Sequence, residues 1–294
     1  MSSLPLAQNS LGLAANLARL GDLADAASAR VSSGRRLDRP STDPAAVGQV
    51  SRLDGESTRL RAVEINLQNG VSRLQATTGQ LDVLGRLTTR LSELASLAAD
   101  PIRSPADTAS YATEFTQLQT QLRQIIGGTS AEIGGSGVAS AQGAFNQQEL
   151  FGPAAGDTLV IGEAPPARYQ PPVLNLRTGA LGDLIRQDAS GAFTLQLDAS
   201  TAPAITRGLQ AATTQIADAQ AQVGAGLSRL DFAASVATTA ATNHEAALSA
   251  IRDTDLATEL TALSRYKILN ESHTAMLAQA RDASAKLLPL LARR

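Results

Sequence analysis

Residues 53–81 read LDGESTRLRAVEINLQNGVSRLQATTGQL, and leucine occupies every seventh position in this stretch. A second apolar ladder of the same period runs through residues 209–237 and resumes at residue 251. A seven-residue apolar repeat is typical of long helices that pack side by side along a seam. The residues predicted to form this seam are Leu53, Leu60, Leu67, Leu74, Leu81, Leu209, Ile216, Val223, Leu230 and Ile251.

The two ladders predict a mainly α fold, in which the long helices form an elongated antiparallel hairpin, a coiled-coil rod with both chain termini at one end. Helical spacing continues beyond the ladders, while glycine, proline and aspartate mark the breaks. Ser41 or Thr42 is expected to cap the second helix, with Pro44 in its first turn. Helices are expected over residues 4–30, 44–99, 105–126, 203–250 and 256–288.

The middle of the chain has a different character. GDTLVIGE at 156–163 and GAFTLQLD at 191–198 alternate as short strands do, and glycines lie near both. ALGDLI at 180–185 fits one helical turn as well as a strand. This region is therefore expected to form a small β-rich or irregular cap.

We expect the chain to divide into three parts. Residues 1–43 and 253–294 would form a terminal helical domain, and residues 44–143 and 201–252 a rod domain of long helices. Residues 144–200 would form the outer segment.

The motif content argues against an enzyme. Cysteine is absent, the only histidines are His244 and His273, and the motifs HExxH, GxSxG and GxxxxGK[ST] do not occur. We therefore predict no catalytic residue, no cofactor site and no metal site. The glycines of 134–137 are expected to form a flexible linker rather than a phosphate loop. His244 falls on the second ladder, where it is either a polar register residue in the seam or an ordinary solvent-facing histidine.

Charge and hydropathy limit the partners. The 25 basic and 27 acidic residues leave a net charge of −2, which argues against nucleic-acid binding and against binding to an acidic membrane. No apolar run is long enough for membrane insertion. The first twenty residues lack the basic and apolar regions of a Sec signal peptide, so the chain is expected to stay in the cytoplasm or to leave by another route.

The two terminal helices are amphipathic, and each would expose an apolar stripe to water if it stood alone. Either the termini fold on each other, or they fold when a partner covers them. This pattern favours a structural subunit that polymerises with copies of itself; a coiled-coil binding or signalling protein is the competing class. The predicted contact residues are Leu11, Leu17, Leu20, Leu263, Ile268, Leu269, Met276 and Leu277.

Four stretches resemble bacterial flagellin, the subunit of the flagellar filament. They are ARVSSGRRLDRPSTDPAAVG at 29–48, EINLQNGVSRLQATTGQLDVLGRLTTRLSELASLA at 64–98, FNQQELF at 145–151 and IRDTDLATELTALSRYKILNESHTAMLAQARDASAKLLPLL at 251–291. The resemblance covers both arms of the predicted hairpin. RPSTDPA at 39–45 is somewhat closer to the hook–filament junction protein, a relative of the same architecture, which stands as the alternative.

The resemblance implies a structural, non-enzymatic protein that polymerises into an extracellular flagellar filament for motility. Its terminal helices would line the inner tube. The chain would be secreted by the flagellar type III export apparatus with the help of an export chaperone, and it would meet hook-associated and cap proteins. In some members an innate immune receptor recognises a patch on the long helix, and the corresponding residues here are Arg90, Glu93, Leu94 and Glu114.

Overall fold

The computed structural model describes residues 4–37, 43–138, 140–153, 158–162 and 167–291, and only the backbone for residues 4–11, 283–284 and 286–291. Within these ranges the chain forms seven helices and four short strands, and every helix expected from the ladders is confirmed. The helices are α1 (Leu4–Ser33), α2 (Pro44–Ala98), α3 (Pro105–Ile126), α4 (Ser130–Ile133), α5 (Gly179–Ile185), α6 (Ala202–Arg252) and α7 (Leu256–Leu291).

Helix α2 begins with an aspartate cap. Oδ1 of Asp43 accepts a hydrogen bond from the Ala46 N–H at 3.0 Å, and Pro44 occupies the first helical position, where the missing N–H costs nothing. The predicted caps Ser41 and Thr42 lie outside the described residues. Asp43 directly precedes the first helical residue and occupies the cap position itself, so the predicted caps were wrong.

One compact unit spans residues 59–241. In it α2 and α6 run antiparallel: the Gln220 amide donates to the Asp82 carboxylate at 2.9 Å, and the Leu230 side chain packs against Gly70. The seam residues within this unit are at most 5% exposed, and burial of leucine ladders from both helices stabilises the pair. These buried seam residues are Leu60, Leu67, Leu74, Leu81, Leu209, Ile216, Val223 and Leu230.

A second part of this core lies between α3 and α5. Phe115 of α3 is fully buried, and the amide of Gln119 donates to the carbonyl oxygens of Leu184 and Leu195 at 2.9 and 3.0 Å. These bonds tie the end of α5 and the irregular chain after it to α3.

The buried guanidinium of Arg123 organises the loop after α3. Its two terminal nitrogens donate to four carbonyl oxygens at 2.6–2.8 Å, those of Ile133, Gly134, Ser136 and Ile185. Gly134 has a positive φ of 67°, and any side chain there would collide with the Gln187 backbone. The prediction of a flexible linker was therefore wrong, because these glycines form a tightly packed turn.

The strands of the middle region form two hairpins. β1 (Ala144–Phe145) pairs with β2 (Gln148–Glu149), and β3 (Leu159–Val160) pairs with β4 (Arg168–Tyr169), both antiparallel. The strand prediction at 156–163 is confirmed for β3. The one at 191–198 was wrong, since only Phe193 forms a bridge there, to Gln187. ALGDLI lies in helix α5.

The other compact unit comprises residues 1–58 and 242–294, and its main contact joins α1 to α7. The Arg30 guanidinium donates to both carboxylate oxygens of Glu259 at 2.8 and 3.0 Å. The break predicted at 253–255 is confirmed. There Asp255 caps α7 by accepting hydrogen bonds from the Ala257 N–H and the Thr258 hydroxyl, both at 2.9 Å.

The turns beside this break are joined to each other. The Arg36 N–H donates to the Arg252 carbonyl at 2.7 Å, and the Thr254 N–H donates to the Gly34 carbonyl at 3.1 Å. The guanidinium of Arg36 also donates to the Ile251 carbonyl at 2.8 Å. The exits from α1 and α6 are therefore held together by backbone hydrogen bonds.

Candidate polymer interface

Helix α7 has an inner face that is turned to α1. Half-buried side chains recur along it at intervals of three and four residues, the spacing of one helix face: Glu259, Leu263, Tyr266, Asn270, His273 and Leu277. Glu259 belongs to this row and is ion-paired with Arg30 of α1. The row is therefore the side of α7 that packs on α1.

The outer face of α7 carries exposed apolar side chains. Ile268 is nine residues from both Glu259 and Leu277, about two and a half helical turns, so it points away from α1. Its side chain is 66% exposed. Leu256, Leu260 and Met276 are 45–49% exposed on the same helix. They do not form a single line: Leu260 and Met276 lie on opposite sides of Ile268, each about 80° around the helix from it, and Leu256 lies beyond Leu260. We call these four exposed residues together the outer row of α7.

Two shallow grooves run along α7 on either side of Ile268. Small residues line much of both, so another helix could approach closely. The first is lined by Ala257, Thr258, Thr261, Ala262, Arg265 and Tyr266. The second is lined by Lys267, Asn270, Glu271, Thr274, Ala275 and Ala278.

The residues that the sequence proposed for polymer contacts fall into two sets. Ile268 and Met276 belong to the outer row. The other described side chains are half-buried, and they are Leu17, Leu20, Leu263, Leu269 and Leu277. The side chain of Leu11 lies outside the described residues. The sequence alone did not single out the exposed residues Leu256 and Leu260.

A separate exposed cluster joins α2 to α3. The Arg90 guanidinium donates to both oxygens of Glu114 at 2.7 and 3.1 Å and to Glu93 at 3.0 Å. These bonds raise the pKa of Arg90, and the bond from Arg90 lowers the pKa of Glu114. Leu94 is fully buried and packs in the core, so it does not belong to the exposed cluster with which the sequence grouped it.

The ends of the seam differ from its middle. Leu53 and Ile251 are only half-buried, in the unit that contains α1 and α7. His244 is also half-buried, with Nδ1 3.4 Å from the Glu56 carboxylate across the helix pair. His244 therefore lies at the edge of the seam, neither inside it as a register residue nor fully exposed to solvent.

Sequence reasoning missed the way in which the β3–β4 hairpin is anchored. Leu159 and Tyr169 are cross-strand partners; Leu159 packs on Gly70 of α2, and Tyr169 packs on Gly226 of α6. Arg229 lies over the Tyr169 ring, 5.4 Å from its centroid. The available signal was the presence of glycines such as Gly70 and Gly226 inside the helical ladders, because a glycine within a helix can have a packing reason. The sequence did not show which of the ladder glycines have one.

The described part of the chain offers little else for chemistry. Among the described residues no group of three His, Asp or Glu side chains is placed to hold a metal ion. No helix in the same ranges is long and apolar enough to cross a membrane. The outer row of α7 is therefore the feature that most needs a functional explanation.

Comparison with known proteins gives a consistent family. The bacterial flagellin N-terminal helical region matches residues 7–135, and the bacterial flagellin C-terminal helical region matches residues 206–291. The flagellar filament 30.7 kDa core protein of Treponema maltophilum is 30% identical over 263 residues, 89% of this chain and 90% of its own length. Flagellin of Listeria monocytogenes is 26% identical over 262 residues, with the same coverage of both chains.

A crystal structure of Bacillus cereus flagellin aligns with a TM-score of 0.47 at 23% identity, over 63% of this chain and 94% of that chain. The two matched regions contain most of α1, all of α2 and α3, nearly all of α6 and all of α7. The relatives are named as flagellins or filament core proteins, which favours the filament subunit over the junction protein. This chain therefore belongs to the bacterial flagellins, the structural subunits that polymerise into the extracellular flagellar filament.

Proposed function

We propose that the outer row of α7 is the surface through which neighbouring subunits bind when the filament grows. The observation that carries this proposal is the exposure of Ile268 on the face opposite α1. Burial of a leucine, isoleucine or methionine side chain contributes roughly 1.5–3 kcal/mol. Covering the four residues of the outer row would thus contribute several kcal/mol per subunit.

The inner face of α7 has a different task in this proposal. Leu263 and Leu277 of the inner face, with half-buried Leu269 at its edge, pack the terminal helices into a pair, and Arg30 and Glu259 fix their register. Assembly then completes the burial of a pair that is only half-buried in one subunit. Coupling of this kind makes the terminal helices most stable inside the polymer.

The contact would be heterologous, because an open filament needs two different surfaces that repeat along the polymer. The grooves beside Ile268 and the outer row supply one of them. In this arrangement residues 1–43 and 253–294 form the inner layer, residues 44–143 and 201–252 form the surrounding rod, and residues 144–200 lie outside.

The same exposed row supports a set of transient partners. A row of uncovered apolar side chains promotes premature association. An export chaperone that covers it before passage through the type III export apparatus would prevent this. Hook-associated and cap proteins would present the first and last complementary surfaces to the growing polymer.

The test is an Ile268→Asp variant, which places a charge on the outer row without touching the inner face. We expect normal helix content by circular dichroism and no sedimentable filaments, because a buried unpaired carboxylate is costly. Ile268→Leu is the matched control and should assemble. Leu269→Asp is less informative, since Leu269 is half-buried and its loss also disturbs the helical pair. Filaments of normal length from Ile268→Asp would rule out this surface.

The Arg90 cluster supports a second proposal, recognition by an innate immune receptor. Arg90, Glu93 and Glu114 are 40–56% exposed and hold one another in a fixed arrangement, which favours a protein contact over a mobile solvated surface. An Arg90→Ala variant that assembles normally but loses receptor signalling would support it. Loss of filament growth in this variant would assign the cluster to a contact between subunits instead.

A further inference from the structure

We propose that Met276 is a modification site: oxidation of its thioether to the sulfoxide in a free subunit blocks assembly, and assembly protects the sulfur from oxidation. This inference rests on the proposed role of the outer row. The reagent class is a two-electron oxidant that donates one oxygen atom, such as hydrogen peroxide.

The composition concentrates this chemistry on one side chain. The chain contains no cysteine, no tryptophan and two methionines. Met1 lies outside the described residues, and Met276 stands in the middle of α7. A peroxide therefore meets no competing thiol in this protein, and thioether sulfur is its principal target.

Met276 is accessible to solvent before assembly. Its side chain is 45% exposed in the subunit. Any fraying of α7 in the free subunit would expose the sulfur further.

The reaction changes the property on which assembly depends. A sulfur lone pair attacks one peroxide oxygen, the O–O bond breaks, an S–O bond forms, and the second oxygen leaves as water. Sulfur loses two electrons and the peroxide gains them. The product is polar and chiral, so burying it among apolar side chains leaves a strong acceptor without a hydrogen bond.

A competition experiment tests this without any substitution. Free subunits are treated with hydrogen peroxide until about half of Met276 carries the sulfoxide, as judged by mass spectrometry of the tryptic peptide 268–281. The mixture is then allowed to polymerise and is separated by sedimentation. We expect the sulfoxide-to-thioether ratio to be at least about tenfold lower in filaments than in the supernatant. Equal ratios would overturn the proposal.

Two further arms locate the effect. Intact filaments treated with the same peroxide should show much slower oxidation of Met276 than free subunits, and equal rates would contradict the protection. Met276→Leu retains Met1, and each sample is compared with its own untreated aliquot. Peroxide should reduce the fraction of the natural chain that assembles. For Met276→Leu, the assembled fraction should be the same in treated and untreated samples. Equal inhibition of both proteins would mean that the damaging oxidation occurs at another residue.

The outcome can be separated from that of the proposed function. If Ile268→Asp fails to assemble while subunits oxidised at Met276 assemble normally, the outer row stands and the oxidation proposal falls. If both assemble normally, the outer row itself is wrong. Recovery of assembly after treatment with a methionine sulfoxide reductase would show that the modification is reversible.

Discussion

The side chain of Tyr169 occupies the space in which any residue other than glycine at position 226 would place its side chain. Its cross-strand partner Leu159 does the same above Gly70, where a Cβ would lie 2.9 Å from the Leu159 side chain. One cross-strand pair therefore holds the β3–β4 hairpin on α2 and α6 together. At both positions glycine is needed because it has no side chain.

This relationship predicts opposite effects for two neighbouring glycines of α6. Gly226→Ala should lower the free energy of unfolding by about 1–3 kcal/mol, because the new methyl group overpacks the contact with Tyr169 and Leu74. Gly224→Ala is the matched control, since nothing lies within 4 Å of its Cβ. It should stabilise by about 0.5–1 kcal/mol. Urea unfolding measures both, and a stabilising Gly226→Ala would contradict the packing.

Replacing Arg123 should unfold the turn after α3. Arg123→Met removes the donors for four carbonyl oxygens in a site so desolvated that burial lowers the pKa of Arg123. We expect a loss of about 3–5 kcal/mol and faster hydrogen exchange across residues 127–138. The exposed neighbour Arg186 provides the control, Arg186→Met. Unchanged exchange in Arg123→Met would mean that other contacts hold the turn.

The cap of α7 should respond to acid. Hydrogen bonds from the Thr258 hydroxyl and from the N–H groups of Thr258 and Ala257 hold the pKa of Asp255 below its ordinary value of 3.8. A lowered folded-state pKa means that the stabilisation is complete above pH 3.8 and is lost as the pH falls through the lower value. Asp255→Asn keeps a capping oxygen but does not titrate.

Circular dichroism melts of the natural chain and of Asp255→Asn, recorded from about pH 5 to about pH 2, check this prediction. The thermal midpoint of the natural chain should fall further than that of the variant below pH 3.8. Hydrogen bonds also lower the pKa of Asp253, which is present in both proteins. The contribution of Asp255 is therefore the difference between the melting curves of the natural chain and of Asp255→Asn. Parallel curves would show that Asp255 contributes no acid-sensitive stability.

The seam should be far more sensitive to truncation than the outer surface of the same helix. Leu81 is fully buried, and Leu81→Ala should cost about 2–5 kcal/mol through lost transfer energy and a cavity. Ile65 is 59% exposed on α2, and Ile65→Ala should cost less than about 1 kcal/mol. Similar losses from both variants in urea unfolding would mean that the ladder does not form the main contact.

The long helices could be predicted because their signal repeats many times. Leu67, Leu74 and Leu81 each carry the same information, so one exception such as His244 does not disturb it. The period of seven also names the buried face, and the structure buries these leucines at 3% exposure or less. The end of α3 at Ile126 and the break at Asp253 could also be predicted, because glycine and aspartate at these places act on the local backbone.

The errors arose where distant residues decide the structure. Residues 191–198 alternate as a strand does, but the Leu195 carbonyl accepts from Gln119 of α3, and within the described ranges no strand pairs with this segment beyond the single Gln187–Phe193 bridge. The glycines at 134–137 read as a linker because the sequence does not show the buried donors of Arg123. Leu94 was grouped with Arg90 because of the resemblance to flagellins, and the resemblance does not show that the helical turn buries it in the core.

The hydrogen bonds between residues 34–36 and 252–254 have a mechanical consequence. Two chain connections meet at these bonds, the one that follows α1 and the one between α6 and α7. Because the Gly34–Thr254 and Arg36–Arg252 hydrogen bonds join the two connections, a force applied to one connection is transmitted to the other. Hydrogen bonds that bear a force in parallel must break together. The two joined connections therefore resist shear better than a single connection would.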